Sequence, residues 1–246
     1  MRRRNSTAGK IRMELADRLR ALAIVAADRV EPGMIVGLGT GSTADAVIRE
    51  LGRRRGEGLV FTGVATSSRT EALARELGIP LTTLEEVDAI DLGIDGADEI
   101  DPNLDAIKGR GGALLREKLV ALACADYVLV ATTEKSVDRL GANTPLPVEI
   151  VAFAWMQTAG RLRDVGFSPT LRPSSGDPSL TATTDGGGFI LDCATGAMAD
   201  PGAIAARVKA IPGVIEHGLF HGIARSVLQV DPDGAVVRRV RGEGLF

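Results

Sequence analysis

Asp95, Asp98, Lys108 and Glu117, side chains able to hold or move a proton where the backbone turns, fall in one stretch of this chain, DLGIDGADEIDPNLDAIKGRGGALLREK (91 to 118). The stretch reads as an apolar strand from Ala89 to Ile94, an acidic turn, a glycine-rich loop from Lys108 to Gly112, and a helix entered at Ala113. In an open parallel α/β sheet, ligands gather outside the carboxyl ends of the strands and at the starts of the helices that follow. That geometry would set two carboxylates, an ammonium and Glu117 around one crevice, a group suited to proton transfer on an anionic substrate. A calcium loop fails by spacing: oxygen ligands at alternate positions from Asp95 would fall on Ala97 and Glu99, and the turn glycine on Ile100. Glu117 has Ala113, Leu114, Val120 and Ala121 as helical neighbours, and burial among them would raise its pKa toward that of a base at neutral pH. An exposed carboxylate that merely complements the helix dipole is the other reading, and position alone leaves both open.

A second signal lies upstream. The strand Met34 to Leu38 turns through GLGTGSTA (37 to 44) into a helix that runs through Leu51. Free backbone N–H groups and the helix dipole at such a turn suit an anion. A Walker A loop would need a lysine, and none stands between Gly37 and Ala44; a dinucleotide fingerprint would need glycine where Ser42 stands and an acid after the second strand. That strand, Leu59 to Ala65, ends instead in Thr66, Ser67 and Ser68, hydroxyls suited to sugar oxygens or phosphate. A tight structural turn with a serine helix cap competes with the anion reading. Lys135 follows the strand Asp126 to Ala131 on the same sheet edge, as a ligand contact or as a solvated lysine.

The elements needed to bring these residues together are legible in the apolar spacing. Leu15, Leu19, Leu22, Ala23 and Ala26 mark one face of a helix over Ile11 to Val30, stopped by Pro32-Gly33. A helix over Arg69 to Leu77 closes at Gly78, a short strand covers Ile79 to Thr82, and Ala113 to Ala123 is a helix apolar almost all round. Composition shifts after Asn143. TPLPVEIVAF opens a strand, Trp155 to Val165 a helix, and Ser168 to Arg172 and Leu180 to Thr184 read as strands. Phe189 to Cys193 follows the Asp185-Gly186-Gly187-Gly188 turn, a helix starts at Asp200-Pro201, and Val214 to Leu219 is a last strand. This β-α-β-β-α-β order suggests a small ferredoxin-like domain, and Ser226 to Asp231 would return to the first sheet. The expected fold class is α/β: a Rossmann-like parallel-sheet domain over 1–142 and 220–246, with a smaller inserted α+β domain over 143–219.

The totals narrow the function. With 246 residues, 45% hydrophobic and 25% charged, the chain can bury a substantial core. A net charge of -3 from 29 basic and 32 acidic side chains is too balanced for a protein that works by neutralising nucleic-acid phosphates. The basic start, MRRRNSTAGK, precedes an amphipathic stretch, with no apolar signal core, and reads as a solvated tail; no run approaches a membrane span. Cys124 and Cys193 sit far apart in apolar contexts and read as free thiols, which fits a reducing cytoplasm. His217 and His221 have no acid at catalytic spacing and read as structural or interfacial. A count of only two histidines argues against a histidine-based zinc site.

With GLGTGSTA, DGADEID, KGRGGALLREK, TTEKSVDRLG, LPVEIVAF and IEHGLF in order, the sequence resembles the ribose-5-phosphate isomerase A family from about Leu15 onward. The resemblance implies a cytoplasmic enzyme of the non-oxidative pentose phosphate pathway, a homodimer or homotetramer, acting on a sugar phosphate without cofactor. It implies substrate loops at Thr40, Gly41, Ser42 and Thr43, at Gly96 and Ala97, and at Gly109, Arg110 and Gly111, with Lys135 a further contact. Glu117 matches the catalytic base, Lys108 the group that stabilises negative charge, and Asp95 and Asp98 the groups that bind hydroxyls and assist ring opening. Two departures stand out. Arg110 occupies a family glycine, and the first-helix position where the family often has a basic residue near the phosphate is Leu19, flanked by Arg18 and Arg20. Another sugar-phosphate isomerase is an alternative; a sugar-phosphate-sensing regulator is another, but it would need a DNA-binding domain beyond the single helix ahead of Pro32.

Overall fold

The computed structural model describes residues 13–243. The expected tail at Met1 to Lys10 lies outside them, as does the start of the first helix as read from the sequence. The elements follow in chain order: α1 (Leu15–Ala27), β1 (Ile35–Leu38), α2 (Ser42–Gly56), β2 (Thr62–Ala65), α3 (Ser68–Glu76) and β3 (Ile90–Gly96). Next come β4 (Glu99–Ile100), β5 (Ala106–Ile107), α4 (Leu114–Ala123), β6 (Cys124–Thr132), β7 (Leu146–Ile150), α5 (Trp155–Asp164), β8 (Ser168–Leu171) and β9 (Phe189–Ala194). The chain finishes with α6 (Pro201–Lys209), β10 (Val214–His217), β11 (Leu219–Phe220), β12 (Ser226–Val230) and β13 (Val236–Val240).

The main sheet runs β13-β12-β6-β3-β1-β2, parallel except at the edge, where β13 pairs antiparallel with β12. Its inner strands are buried on both faces, which explains their continuous apolar runs: Val128, Leu129 and Val130 on β6 are wholly inaccessible. The chain passes from β1 to β2 on one side and crosses back to place β3 on the other, so the carboxyl ends of β1 and β3 open side by side into a crevice. A second sheet, β10-β7-β9-β8, is antiparallel throughout and carries α5 and α6, the β-α-β-β-α-β order read from the sequence. A three-stranded ribbon, β11-β5-β4, stands between the two and pairs Leu219 with Ile107.

Local chemistry sets the element ends. Ser67 caps α3 by accepting from the Thr70 N–H at 3.0 Å, and Asp200 caps α6 through the Ala203 N–H at 2.9 Å, with Pro201 in the first turn. Two expected strands are reduced to bridges. Ile79 to Thr82 keeps one, Gly63 to Leu81; Leu180 to Thr184 keeps two, Thr181 to Pro173 and Thr183 to Phe189. The direct pairing of β8 with β9 takes the ladder that Leu180 to Thr184 would have occupied.

Candidate active site

The turn after β1 is built around a buried carboxylate. Asp95 at the end of β3 accepts from the Thr40 N–H at 3.0 Å and from its neighbour Gly96 at 2.7 Å. Gly39 permits this approach, since a Cβ there would lie 2.2 Å from Asp95 Oδ1. Gly41 has φ +117, open to glycine and strained for other residues, and its carbonyl takes the first helical bond from Asp45. The N–H groups of Ser42 and Thr43 therefore open α2 facing the crevice. Beneath, the Thr40 hydroxyl lies within 3.0 Å of the Thr66, Ser67 and Thr70 hydroxyls. Thr66 and Ser67 are thus structural supports for the turn. Ser68 lies off the crevice too, its N–H donating to Asp185 at 2.8 Å. The expectation that these hydroxyls meet a sugar or phosphate is corrected: Thr40 needed partners for its own buried hydroxyl and took them.

The cleft, of about 320 Å³, is lined by Thr40 to Thr43, Gly96 to Asp98, Lys108 to Gly111, Glu117 and Lys135. Of the residues assigned to the substrate loops and the catalytic set, all but one border it. Asp95 is the exception: it is 1% exposed and both oxygens are engaged, the second by Lys108 Nζ at 3.0 Å and by the Tyr127 hydroxyl at 3.3 Å. It organises the site from behind. Asp98 is half-buried at the cleft wall and accepts the Arg110 N–H at 3.0 Å.

Lys108 and Glu117 stand together at the cleft wall. Lys108 is 2% exposed and also donates to the Gly96 carbonyl, while its own N–H bonds the Gly218 carbonyl at 2.8 Å. Burial alone would lower its pKa, but the Asp95 and Glu117 carboxylates outweigh that and raise it, so the ammonium stays charged. Phe220 lies beneath, its ring centroid 5.4 Å from Lys108 Nζ. Glu117, in the first turn of α4, is 2% exposed, and its Oε2 has no hydrogen-bond partner; Lys108 Nζ stands 3.5 Å away. Desolvation pushes its pKa up to about 8; Lys108 opposes the shift, and Asp95 and Asp98 add to it. The alternative of an exposed carboxylate at a helix start is thereby set aside.

Two residues that the sequence did not single out, Tyr127 and Arg172, support this arrangement, together with Arg18, known from the sequence only as a flank of Leu19. Tyr127 is the chain's only tyrosine and reads as one more apolar strand residue until β6 is placed beside β3. Arg172, at the end of β8, donates to the Gly109 and Arg110 carbonyls at 2.9 and 3.1 Å and pairs with Asp192. Arg18, buried on α1, forks onto Glu134 beside Lys135. The histidines are also better partnered than their spacing suggested: His221 meets Asp105 at 2.6 Å, and His217 packs beside Glu216 and Lys118. Neither lines the cleft. Among the described residues no group of three or more His, Cys, Asp or Glu is placed to hold a metal ion.

A mostly parallel sheet with a helix start open to an anion, and a buried carboxylate beside a buried ammonium, defines an α/β protein with a cleft whose groups could move a proton. The model of the family described as ribose 5-phosphate isomerase A (phosphoriboisomerase A) matches residues 62–234. A protein named ribose-5-phosphate isomerase A from Roseiflexus castenholzii is 51% identical over 86% of this chain and 90% of its own. One of the same name from Synechococcus sp. is 49% identical over 90% and 97%. Among solved structures, a D-ribose-5-phosphate isomerase in complex with phospho-erythronic acid superposes with a TM-score of 0.89 at 36% identity, covering 93% of this chain and all of that one. The ribose 5-phosphate isomerase of Plasmodium falciparum gives 0.88 at 34%, with the same coverage. The chain belongs to the ribose 5-phosphate isomerase A family.

Proposed function

We propose that this protein interconverts D-ribose 5-phosphate and D-ribulose 5-phosphate, in the non-oxidative pentose phosphate pathway. The observation that carries the reading is the unpartnered, buried Oε2 of Glu117 at the cleft wall, 3.5 Å from a charged Lys108. Glu117 takes the proton from C2 of the open-chain aldose and returns it at C1. The C1 carbonyl oxygen takes the negative charge of the enediolate, the O2 hydroxyl proton passes to O1 so that C2 becomes the carbonyl, and the Lys108 ammonium stabilises the charge on both oxygens. Asp98, with the cleft-side position that Asp95 lacks, serves the sugar hydroxyls and ring opening. Asp95 keeps Lys108 charged and holds the Thr40 turn. The N–H groups of Ser42 and Thr43, with Lys135, receive the phosphate. The backbone of Gly96, Ala97, Gly109 and Gly111 walls the chain of the sugar, and Arg110 stands at the rim.

The reading extends to a cytoplasmic homodimer or homotetramer; Leu122, Phe153 and Met156, each more than half exposed, offer apolar surface that an assembly would cover. It also takes 143–219 as a small unit inserted in the catalytic one, supported by β7 to β10 lying wholly within it. A coupled assay with ribose 5-phosphate, run with and without chelator against pentose and tetrose phosphates, tests the function. Chelator-insensitive turnover with the largest kcat/KM for ribose 5-phosphate is expected. A preference for another sugar phosphate would overturn the substrate.

A further inference from the structure

Arg18 is 4% exposed, an unusual place for a guanidinium, and it makes four hydrogen bonds that reach two further elements. Its Nη1 and Nη2 donate to the two carboxylate oxygens of Glu134 at 2.9 and 2.8 Å. Its Nε donates to the Asp231 carbonyl at 2.8 Å, and Nη2 also to the Val230 carbonyl at 3.1 Å, both at the carboxyl end of β12. One planar fork therefore ties α1 and the end of β12 to the 3₁₀ turn at Thr133–Lys135. The next residue along that turn is Lys135, which borders the cleft. The same fork occupies the carboxylate beside Lys135 in sequence, so this acid does not draw the ammonium away from the cleft.

We propose that Arg18 is a positioning residue that holds Lys135 at the phosphate end of the cleft through Glu134; the proposal rests on the sugar-phosphate reading above. The fork fixes both position and orientation of the turn, which a flexible point charge on α1 would not. The test compares full-length Arg18→Met, Arg18→Lys, Lys135→Ala and the Arg18→Met/Lys135→Ala double variant. It measures KM for ribose 5-phosphate, kcat, and the inhibition constant of inorganic phosphate, with melting curves to establish folding. Arg18→Met is expected to raise both KM and the phosphate inhibition constant about three- to tenfold with kcat within about twofold, and to add nothing further once Lys135 is gone. Arg18→Lys keeps the charge, loses the fork, and is expected to behave as Arg18→Met does; it also carries the comparison if the methionine variant does not fold. Unchanged constants in Arg18→Met, or a full additional effect in the double variant, would overturn the proposal. Unchanged constants in Lys135→Ala would instead remove the phosphate role of Lys135 itself.

Discussion

At the scale of single residues, the site turns on how differently burial acts on an acid and on a base. Desolvation pushes Glu117 up to about 8, while Lys108, equally buried, is kept charged by two carboxylates. With Glu117 as the proposed base its ionised form is the active one, so kcat/KM should fall as pH drops below about 8, far above the ordinary carboxylate range; a pH profile with its acid limb near 4 to 5 would contradict this. The same shift links to stability. Between its ordinary value of 4.5 and about 8, the folded protein holds a proton on Glu117 that the unfolded chain releases, so stability declines as pH rises through that window. Glu117→Gln is expected to melt above the parent near pH 9 and to lose most of that advantage near pH 5, measured by thermal unfolding. The residue types of this centre were legible, because Asp95, Asp98, Lys108 and Glu117 share one stretch. Their division of labour was not. Asp95 is closed off by Tyr127, a partner 32 positions away, and only the pairing of β3 with β6 reveals it.

At the scale of elements, the β1–α2 turn is a close approach of backbone to carboxylate that tolerates no side chain at Gly39. Gly39→Ala would drive a Cβ into Asp95 and should cost about 1–3 kcal/mol or more by denaturant unfolding, with a loss of kcat because Asp95 also holds Lys108. Normal stability with normal kcat would show that the turn yields freely. The main strands and helices could be read from apolar spacing because each is long enough to show a period. The two-residue strands β4, β5 and β11 are too short to show one, and their pairings exist only through the fold. The edge strand β13, VVRRV, was also missed, since one face is solvated and its arginines break the alternation. Leu180 to Thr184 shows the reverse error: a strand-like sequence lost its partner to β8.

At the scale of the whole molecule, the second sheet reaches into the site through one side chain. Arg172 holds the Gly109 and Arg110 carbonyls while Asp192 holds Arg172, so the glycine loop that lines the cleft is braced from outside the main sheet. Arg172→Ala should raise KM severalfold and lower stability by about 1.5–3 kcal/mol, the range for hydrogen bonds to a charged group, as read by kinetics and denaturant unfolding. A variant with both quantities unchanged would detach that sheet from catalysis. This brace could not be foreseen, because nothing local to Arg172 distinguishes it from a solvated arginine at a strand end. All these supports converge on one carboxylate, and the most direct test is the turnover of ribose 5-phosphate by folded Glu117→Gln. A fall in kcat of about 10²–10⁴-fold, the usual contribution of a positioned general base, is the expected result. Near-normal kcat in a correctly folded variant would contradict the assignment of Glu117 as the group that carries the proton.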